Sequence, residues 1–443
     1  MYRHGLKPIV LAIGLAAGAL LLSQQKAQAV PSYARQTGMA CNLCHTVFPE
    51  LTSFGRTFKA SGYTLSQMKK IKSPQTENLS ALELNDTLPL SVMAQIAYTR
   101  TDKSQPETQN DDLQFPQQLS LFLAGEITPH IGSFMQVTYT QVDDHLTFDN
   151  TDLRFASQTE FQGKPLVYGL TLNNNPTVED LWNSTPAWGF PYASADVAPT
   201  PAAGAQVDGA LAQQVGGLGG YAFLDNTYYA AVALYRSAQV GQQSPPDETS
   251  NDTIDGVAPY WRLAWQHNMG ASFLEVGTYG LFAKIYPDGI SGSTDDYTDL
   301  ALDVSYGRQM GNNRLSIHGT YIYEDQSLDA SAPSDPGHDL NTFRADANYL
   351  IEGHMGLTAA YFKIWGDANP DLYASERVDG SRTNNPDSEG LVAQFSYYPW
   401  QNVRLSAQYI LYTEFNGGTD DYDGFGRDAS DNNTLYLLAW LLW

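Results

Sequence analysis

From residue 89 to the end, the chain repeats one unit about sixteen times: roughly ten residues alternating in polarity, then a polar break. Side chains alternate across a strand with period two, so each such run has one apolar and one polar face. Ser91–Tyr98 and Arg404–Leu411 illustrate the pattern. The runs fall near 89–100, 117–127, 131–142, 150–160, 165–173, 211–224, 227–236, 258–267, 271–285, 296–310, 313–325, 339–352, 355–365, 389–398, 403–415 and 433–443. Short breaks at 128–130, 161–164, 225–226, 268–270, 311–312, 353–354 and 399–402 take turns with longer polar ones, of which 174–210 is the longest. An even-stranded barrel with tight turns at one end and long loops at the other has this parity, and a soluble sandwich has no reason for it. The pattern predicts an all-β transmembrane barrel of about 16 antiparallel strands.

The rest of the chain agrees with that reading. Its 27 tyrosines and 37 glycines suit a barrel with aromatic girdles. The last run, Leu435–Trp443, is apolar and ends on an aromatic ring. No run after residue 29 approaches the length of a transmembrane helix. Before it, Arg3, His4 and Lys7 lead into an apolar stretch, Ile9–Leu22, and Ala27-Gln28-Ala29 has the form of an export cleavage site. Residues 1–29 therefore read as a signal peptide, 30–88 as a small N-terminal segment and 89–443 as the barrel. The expected location is the bacterial cell outer membrane, with both termini periplasmic.

The chain carries 24 Lys+Arg against 48 Asp+Glu, and the two signs are segregated. Between Val30 and Gln75 six basic residues (Arg35, Arg56, Lys59, Lys69, Lys70, Lys72) face one acid, Glu50. A basic head before an acidic body argues against a nucleic-acid partner and suggests that the head plugs the lumen. Many acids sit in the long breaks, among them Asp247, Glu248, Asp252 and Asp255 in one and Asp420, Asp421, Asp423, Asp428 and Asp431 in another. Clusters of this kind bind hard cations or keep loops hydrated, and the calcium spacing of a helix–loop–helix hand is absent. The break at 174–210 differs, with Trp182, Trp188, Phe190 and Tyr192 among Pro176, Pro186 and Pro191. It is too apolar to wave in water and should fold into the lumen or pack on the rim.

Both cysteines of the chain lie in Cys41-Asn42-Leu43-Cys44-His45. C-x-x-C-H is the attachment motif of a c-type haem, in which two thiols add across the porphyrin vinyls and the histidine becomes the proximal iron ligand. A thioredoxin-like pair would want a βαβ context that is missing, and zinc would want a fourth ligand. One covalent haem c on Cys41, Cys44 and His45 is therefore expected. The distal ligand is open. Met39 is too near Cys41 to cross the ring, and Met68 is the first reachable candidate. His130, His267, Met269, His354 and Met355 on the barrel are others, and a free sixth position is the last.

Around the motif stand Arg35-Gln36-Thr37-Gly38-Met39, Thr46-Val47-Phe48-Pro49-Glu50-Leu51, Phe54-Gly55-Arg56 and Gly62-Tyr63-Thr64-Leu65. With the order of parts, this resembles the fused monohaem cytochrome–porins of iron-oxidising bacteria. The sequence-specific part of the resemblance lies mainly at 33–65. It implies an oxidoreductase that takes electrons from extracellular ferrous iron and passes them to a periplasmic carrier, a c-type cytochrome or a copper protein. It maps no ferrous site onto the barrel, and an electron donor other than iron is compatible with it. From another class, a porin-type solute channel with a structural or regulatory haem accounts for the same barrel. No Ser-His-Asp order, Walker loop or dinucleotide fingerprint occurs in a fitting context.

Overall fold

Period-two alternation gives each run a polar and an apolar face, and one closed sheet can turn every polar face inward. The computed structural model does this. It describes residues 30–65, 68–73, 83–106, 108–142, 144–238, 253–287 and 289–443. The proposed signal, Asp247, Glu248 and Asp252 lie outside the described residues.

The barrel strands are β3 (Leu90–Thr101), β4 (Asp112–Thr128), β5 (Ile131–Thr140), β6 (His145–Phe161), β7 (Lys164–Asn173), β8 (Val215–Leu224) and β9 (Tyr228–Ser237). They continue as β11 (Ala258–Met269), β12 (Ser272–Tyr286), β13 (Asp295–Met310), β14 (Asn313–Ser327), β15 (Gly337–Ile351) and β16 (Met355–Gly366). β17 (Ser388–Trp400), β18 (Val403–Glu414) and β19 (Thr434–Leu442) complete the set. Each pairs antiparallel with the next, β9 pairs with β11, and β19 returns to β3, so sixteen strands leave no edge. A two-residue strand β10 (Thr253–Ile254) only extends the pairing of β12 above β11. Closure satisfies every strand's backbone within the sheet, which a lipid environment requires.

All sixteen expected strands are present, with differences at their ends. β4 and β6 begin about five residues earlier than the apolar pattern. These extensions alternate as well, with Leu113, Phe115, Leu146 and Phe148 exposed. β8 begins at Val215 and not at 211, because Gln213 turns with φ +62° and Leu211 packs into the lumen with the preceding loop.

Outward residues form an apolar belt: Val232, Leu263, Leu300, Leu302 and Leu391 are all more than 40% exposed. Their inward neighbours on the same strands include Tyr235, Arg262, Asp299 and Asp303, each nearly fully buried. That belt matches the lipid-facing band of a membrane barrel. No helix among the described residues is long and apolar enough to cross a membrane.

The lumen is filled from two sources. The N-terminal segment forms α1 (Pro31–Thr37), α2 (Cys41–Cys44) and α3 (Ser53–Ala60), followed by a hairpin of β1 (Lys70–Lys72) and β2 (Glu83–Asn85). It enters at the short-turn end, where Cys41 N–H donates to Gln401 Oε1 in the turn between β17 and β18. The long connection 174–214 folds inward and buries Val178, Leu181, Trp182 and Val207. Two inward-facing glycines show how closely the parts fit. A Cβ on Gly132 of β5 would stand 2.1 Å from the Gly62 carbonyl oxygen, and one on Gly55 of α3 would stand 2.2 Å from that of Cys44.

Candidate haem-attachment site in the lumen

One helical turn, α2, carries both cysteines at i and i+3, which puts their side chains on the same face. The turn closes with His45 N–H donating to Cys41 O at 2.9 Å. The chain then reverses, and Thr52 N–H returns to Cys44 O at 2.8 Å. Thr52 also caps α3, its Oγ1 accepting from Gly55 N–H at 3.1 Å. The absence of a side chain at Gly55 is what lets α3 lie against the Cys44 carbonyl.

Cys44 and His45 line a cavity of about 360 Å3 between segment, wall and inner loop. Aromatic rings line much of it, Phe48 and Phe58 from the segment, Phe122, Phe134 and Trp440 from strands, Trp188 and Tyr192 from the loop, beside polar groups that include Lys59, Asp149 and Asp180. Phe48 lies beside His45, the rings tilted at 54° with centroids 4.9 Å apart, and meets Trp440 edge-on at 5.3 Å. Arg404 covers the other face of Trp440 at 4.1 Å and donates to Phe48 O at 3.1 Å.

The His45 ring is held in a way that suits a metal ligand. Its Nδ1 lies 3.1 Å from both Pro49 O and Glu50 O, two acceptors that require the hydrogen on Nδ1. Nε2 then carries the lone pair, the arrangement typical of ligating histidines. Burial also lowers the imidazole's pKa, against the pull of those two carbonyls, which favours the neutral form a metal needs.

The thiols argue against a disulfide oxidoreductase. Burial pushes Cys41 up to about 12 and Cys44 up to about 11. A reactive CxxC pair needs its thiolate stabilised instead. Both cysteines are free of disulfide. The donor set, its one-turn spacing and the aromatic cavity fit a covalent haem. Cys41 and Cys44 would hold it by thioether bonds and His45 Nε2 would bind its iron.

On the distal side, none of the candidates the sequence offers lines the cavity. Met68 is buried with Phe58 and Tyr63, its Sδ 3.7 Å from Asn85 Nδ2, and it is not among the cavity's lining residues. His130, His267, Met269, His354 and Met355 are exposed, and none lines the cavity. Met93 of β3 does line it. The alternation of Ser91, Met93 and Gln95 signals that Met93 faces inward, but not that the segment would come to meet it.

Docking of the segment uses polar contacts throughout. Glu50 accepts from Thr46 Oγ1, Ser316 Oγ, Tyr192 OH and Asn348 Nδ2, all at 2.6–2.7 Å. Arg314 donates to His45 O at 2.8 Å and to Asn42 O at 3.2 Å. Lys59 donates to Val178 O and Asp180 O at 2.7 Å each and lies over Trp188. Burial, helped by Arg154, pushes the Lys59 ammonium down to about 7. Tyr63 OH donates to Asp152 Oδ2 at 2.6 Å. Glu179 in the inner loop is fully buried, neither carboxyl oxygen has a hydrogen-bond partner among the described residues, and burial raises it to about 7.

No protein-family model matches the chain, and no curated protein does. Among solved structures, the outer membrane channel DcaP of Acinetobacter baumannii is similar at TM-score 0.48 and 13% identity, covering 80% of this chain and 96% of that one. OmpF of Salmonella typhi is similar at TM-score 0.45 and 11% identity, over 81% and 98% of the two chains. An anion-selective porin from Comamonas acidovorans gives TM-score 0.43 and 10% identity, over 80% and 97%.

Proposed function

We propose that this chain is an outer-membrane electron conduit, oxidising extracellular ferrous iron through one covalent c-type haem and reducing a periplasmic carrier. The lipid-facing belt and closed sheet support the membrane location. The short-turn end, where segment and C-terminus meet, is then periplasmic. The observation that carries the reading is the placement of the C-x-x-C-H turn. Cys44 and His45 face an aromatic cavity inside the barrel, and His45 Nδ1 is already committed to two backbone carbonyls. When bound, the haem supplies one-electron chemistry that no side chain here can supply. The protein's part is to fix His45, exclude water with Phe48, Phe134 and Trp440, and fill the lumen so that solutes do not follow. Each ferrous ion oxidised outside corresponds to one carrier, a c-type cytochrome or copper protein, reduced by one electron inside.

The test is an absorption spectrum of the purified ferric protein before and after dissolved ferrous ions are added. Appearance of the ferrous haem spectrum is expected. A spectrum that changes with dithionite but not with ferrous ions would reject iron as the donor. The second reading, a solute channel with a structural haem, is favoured by the sixteen-stranded closed barrel itself, a size that in porins leaves an aqueous channel. A large, steady conductance of the reconstituted protein would select it.

A further inference from the structure

We propose that Glu50, His318 and Asp346 form a binding site for one divalent first-row transition-metal ion, placed between the long-loop end of the lumen and the haem-attachment turn. The metal-binding role rests on the geometry alone, whereas its use as the ferrous-iron site rests on the electron-conduit reading above. One ligand atom from each residue lies within 4.8 Å of the others. An imidazole with two carboxylates suits iron, manganese or zinc, and the two negative charges match a divalent ion.

The strand register builds this site. His318 of β14 is the cross-strand partner of Asp346 of β15, and one inward step toward the short turn Ser316 partners Asn348. Ser316 and Asn348 hold the Glu50 carboxylate, so Glu50 arrives at the pair from the segment. The pair is joined by His318 Nδ1 and Asp346 Oδ2 at 3.0 Å. His318 and Asp346 also line a small void of about 20 Å3 shared with Ser184 and Phe190 of the inner loop. A void of that size has room for one ion or one water molecule; Arg344 lines it too, and Glu50 does not.

Depth in the barrel gives the site its direction. β14 runs from the short turn at 311–312 toward the long loop at 328–336. Arg314, which holds His45 O, lies four residues nearer the short turn than His318, a rise of about 13 Å. Asp299 and Glu324, register partners six residues above His318, face the lumen on the long-loop side. Down the lumen from the long-loop end the order is therefore these two carboxylates, held by Gln206 and Val207 N–H of the inner loop, then the triad, then the C-x-x-C-H turn. Glu50 joins the last two, since its side chain belongs to the triad and its carbonyl accepts from His45 Nδ1. One ferrous ion becoming ferric releases one electron, which the single carrier held by His45 accepts. The competing account is that these residues only latch the segment to the wall by hydrogen bonds.

Manganous ion separates the accounts, since it resembles ferrous ion in charge and donor preference but gives no electron to the haem. Equilibrium titration of the full-length holoprotein, followed by the free-ion paramagnetic signal, is expected to show one Mn2+ per chain. His318→Gln and Asp346→Asn should each weaken that binding at least tenfold, with haem absorbance and barrel heat-modifiability unchanged. Absence of saturable binding, or wild-type affinity in both variants, overturns the site. Should either variant fail to fold, the anomalous difference map of wild-type crystals soaked in Mn2+ decides: a peak among the three residues upholds the site, and its absence rejects it. Mn2+ binding without haem reduction by ferrous ions leaves the site standing and rejects the electron-conduit reading. Haem reduction without Mn2+ binding does the reverse.

Discussion

Replacing Gly132 with alanine should loosen the segment from the wall without touching the C-x-x-C-H turn. The added Cβ would stand 2.1 Å from Gly62 O and 3.0 Å from Tyr63 Cβ. Even a weak C–H···O contact needs about 3.3 Å, so the two chains must separate by roughly 1 Å. Gly62 and Tyr63 both sit at positive φ, +71° and +59°, so the turn has little freedom to yield. The shift removes the Tyr63–Asp152 hydrogen bond and the one from Tyr221 OH to Ala60 O, both 2.6 Å. At about 1 kcal/mol for each bond and about 1–3 kcal/mol for overpacking, docking weakens by about 3–5 kcal/mol. Every 1.4 kcal/mol is tenfold, so the undocked fraction should rise roughly 100- to 4,000-fold. Two assays follow it: proteolytic nicking of residues 30–65 and single-channel conductance in planar bilayers. Both should increase in Gly132→Ala while haem content stays at the wild-type level. Gly220→Ala, whose Cβ would meet nothing closer than 3.7 Å, is the control. Unchanged nicking and conductance in Gly132→Ala would refute the packing argument, and an equal rise in the control would show that the assay reads general barrel damage.

Two further outcomes are expected. Glu179 keeps its proton up to about pH 7 in the fold but releases it near 4.5 when unfolded, so the native chain holds the extra proton in between and stability falls as pH rises through that window. Glu179→Gln should remove this loss, gaining on the order of 3 kcal/mol at pH 8 and little at pH 4, as read by urea unfolding at the two pH values. A gain that does not depend on pH would show that the carboxyl is not the titrating group. Leu302→Arg, on the outward belt at 61% exposure, should cost about 2–4 kcal/mol in lipid, read as a lower heat-modifiability midpoint. No loss would place that face in water.

How much of this was legible in the sequence depends on the range of the interaction involved. Strands such as β13 and β18 follow from period-two alternation, a local property that closing the sheet leaves intact. Strand ends are less legible: β4 and β6 begin among polar residues such as Asp112, Gln114, Thr147 and Asp149, which mask the short alternation of Leu113, Phe115, Leu146 and Phe148. The C-x-x-C-H turn is visible in the sequence because Cys41, Cys44 and His45 stand within five residues. Glu50, His318 and Asp346 are not, since only the register of β14 on β15 and the docking of the segment bring them together. Met93 was half legible: alternation gives its inward direction, and the cavity that gives it meaning is tertiary.

The charge segregation asks for a different explanation from the one it first suggests. A basic segment in an acidic lumen reads as electrostatic docking, yet the segment's cations mostly meet backbone carbonyls: Lys59 at Val178 and Asp180, Arg56 at Leu51, Arg35 at Leu90. Lys70, bridged to Glu126 at 2.7 Å and to Glu83, and Lys72, bridged to Glu83 at 3.2 Å, are the exceptions. Several of the lumen's buried acids are matched instead by the inner face's own arginines. Arg262 gathers Asp180, Glu275 and Asp303 within 2.8–3.1 Å, and Arg154 pairs with Asp152. Carbonyl hydrogen bonds and aromatic contacts do not weaken as the Debye length falls from about 10 Å at 0.1 M to about 3 Å at 1 M salt, whereas attraction between separated exposed charges does. Raising salt to 1 M should therefore leave the segment docked, with nicking of residues 30–65 unchanged. Release at high salt would return the docking to long-range charge and make the carbonyl contacts incidental.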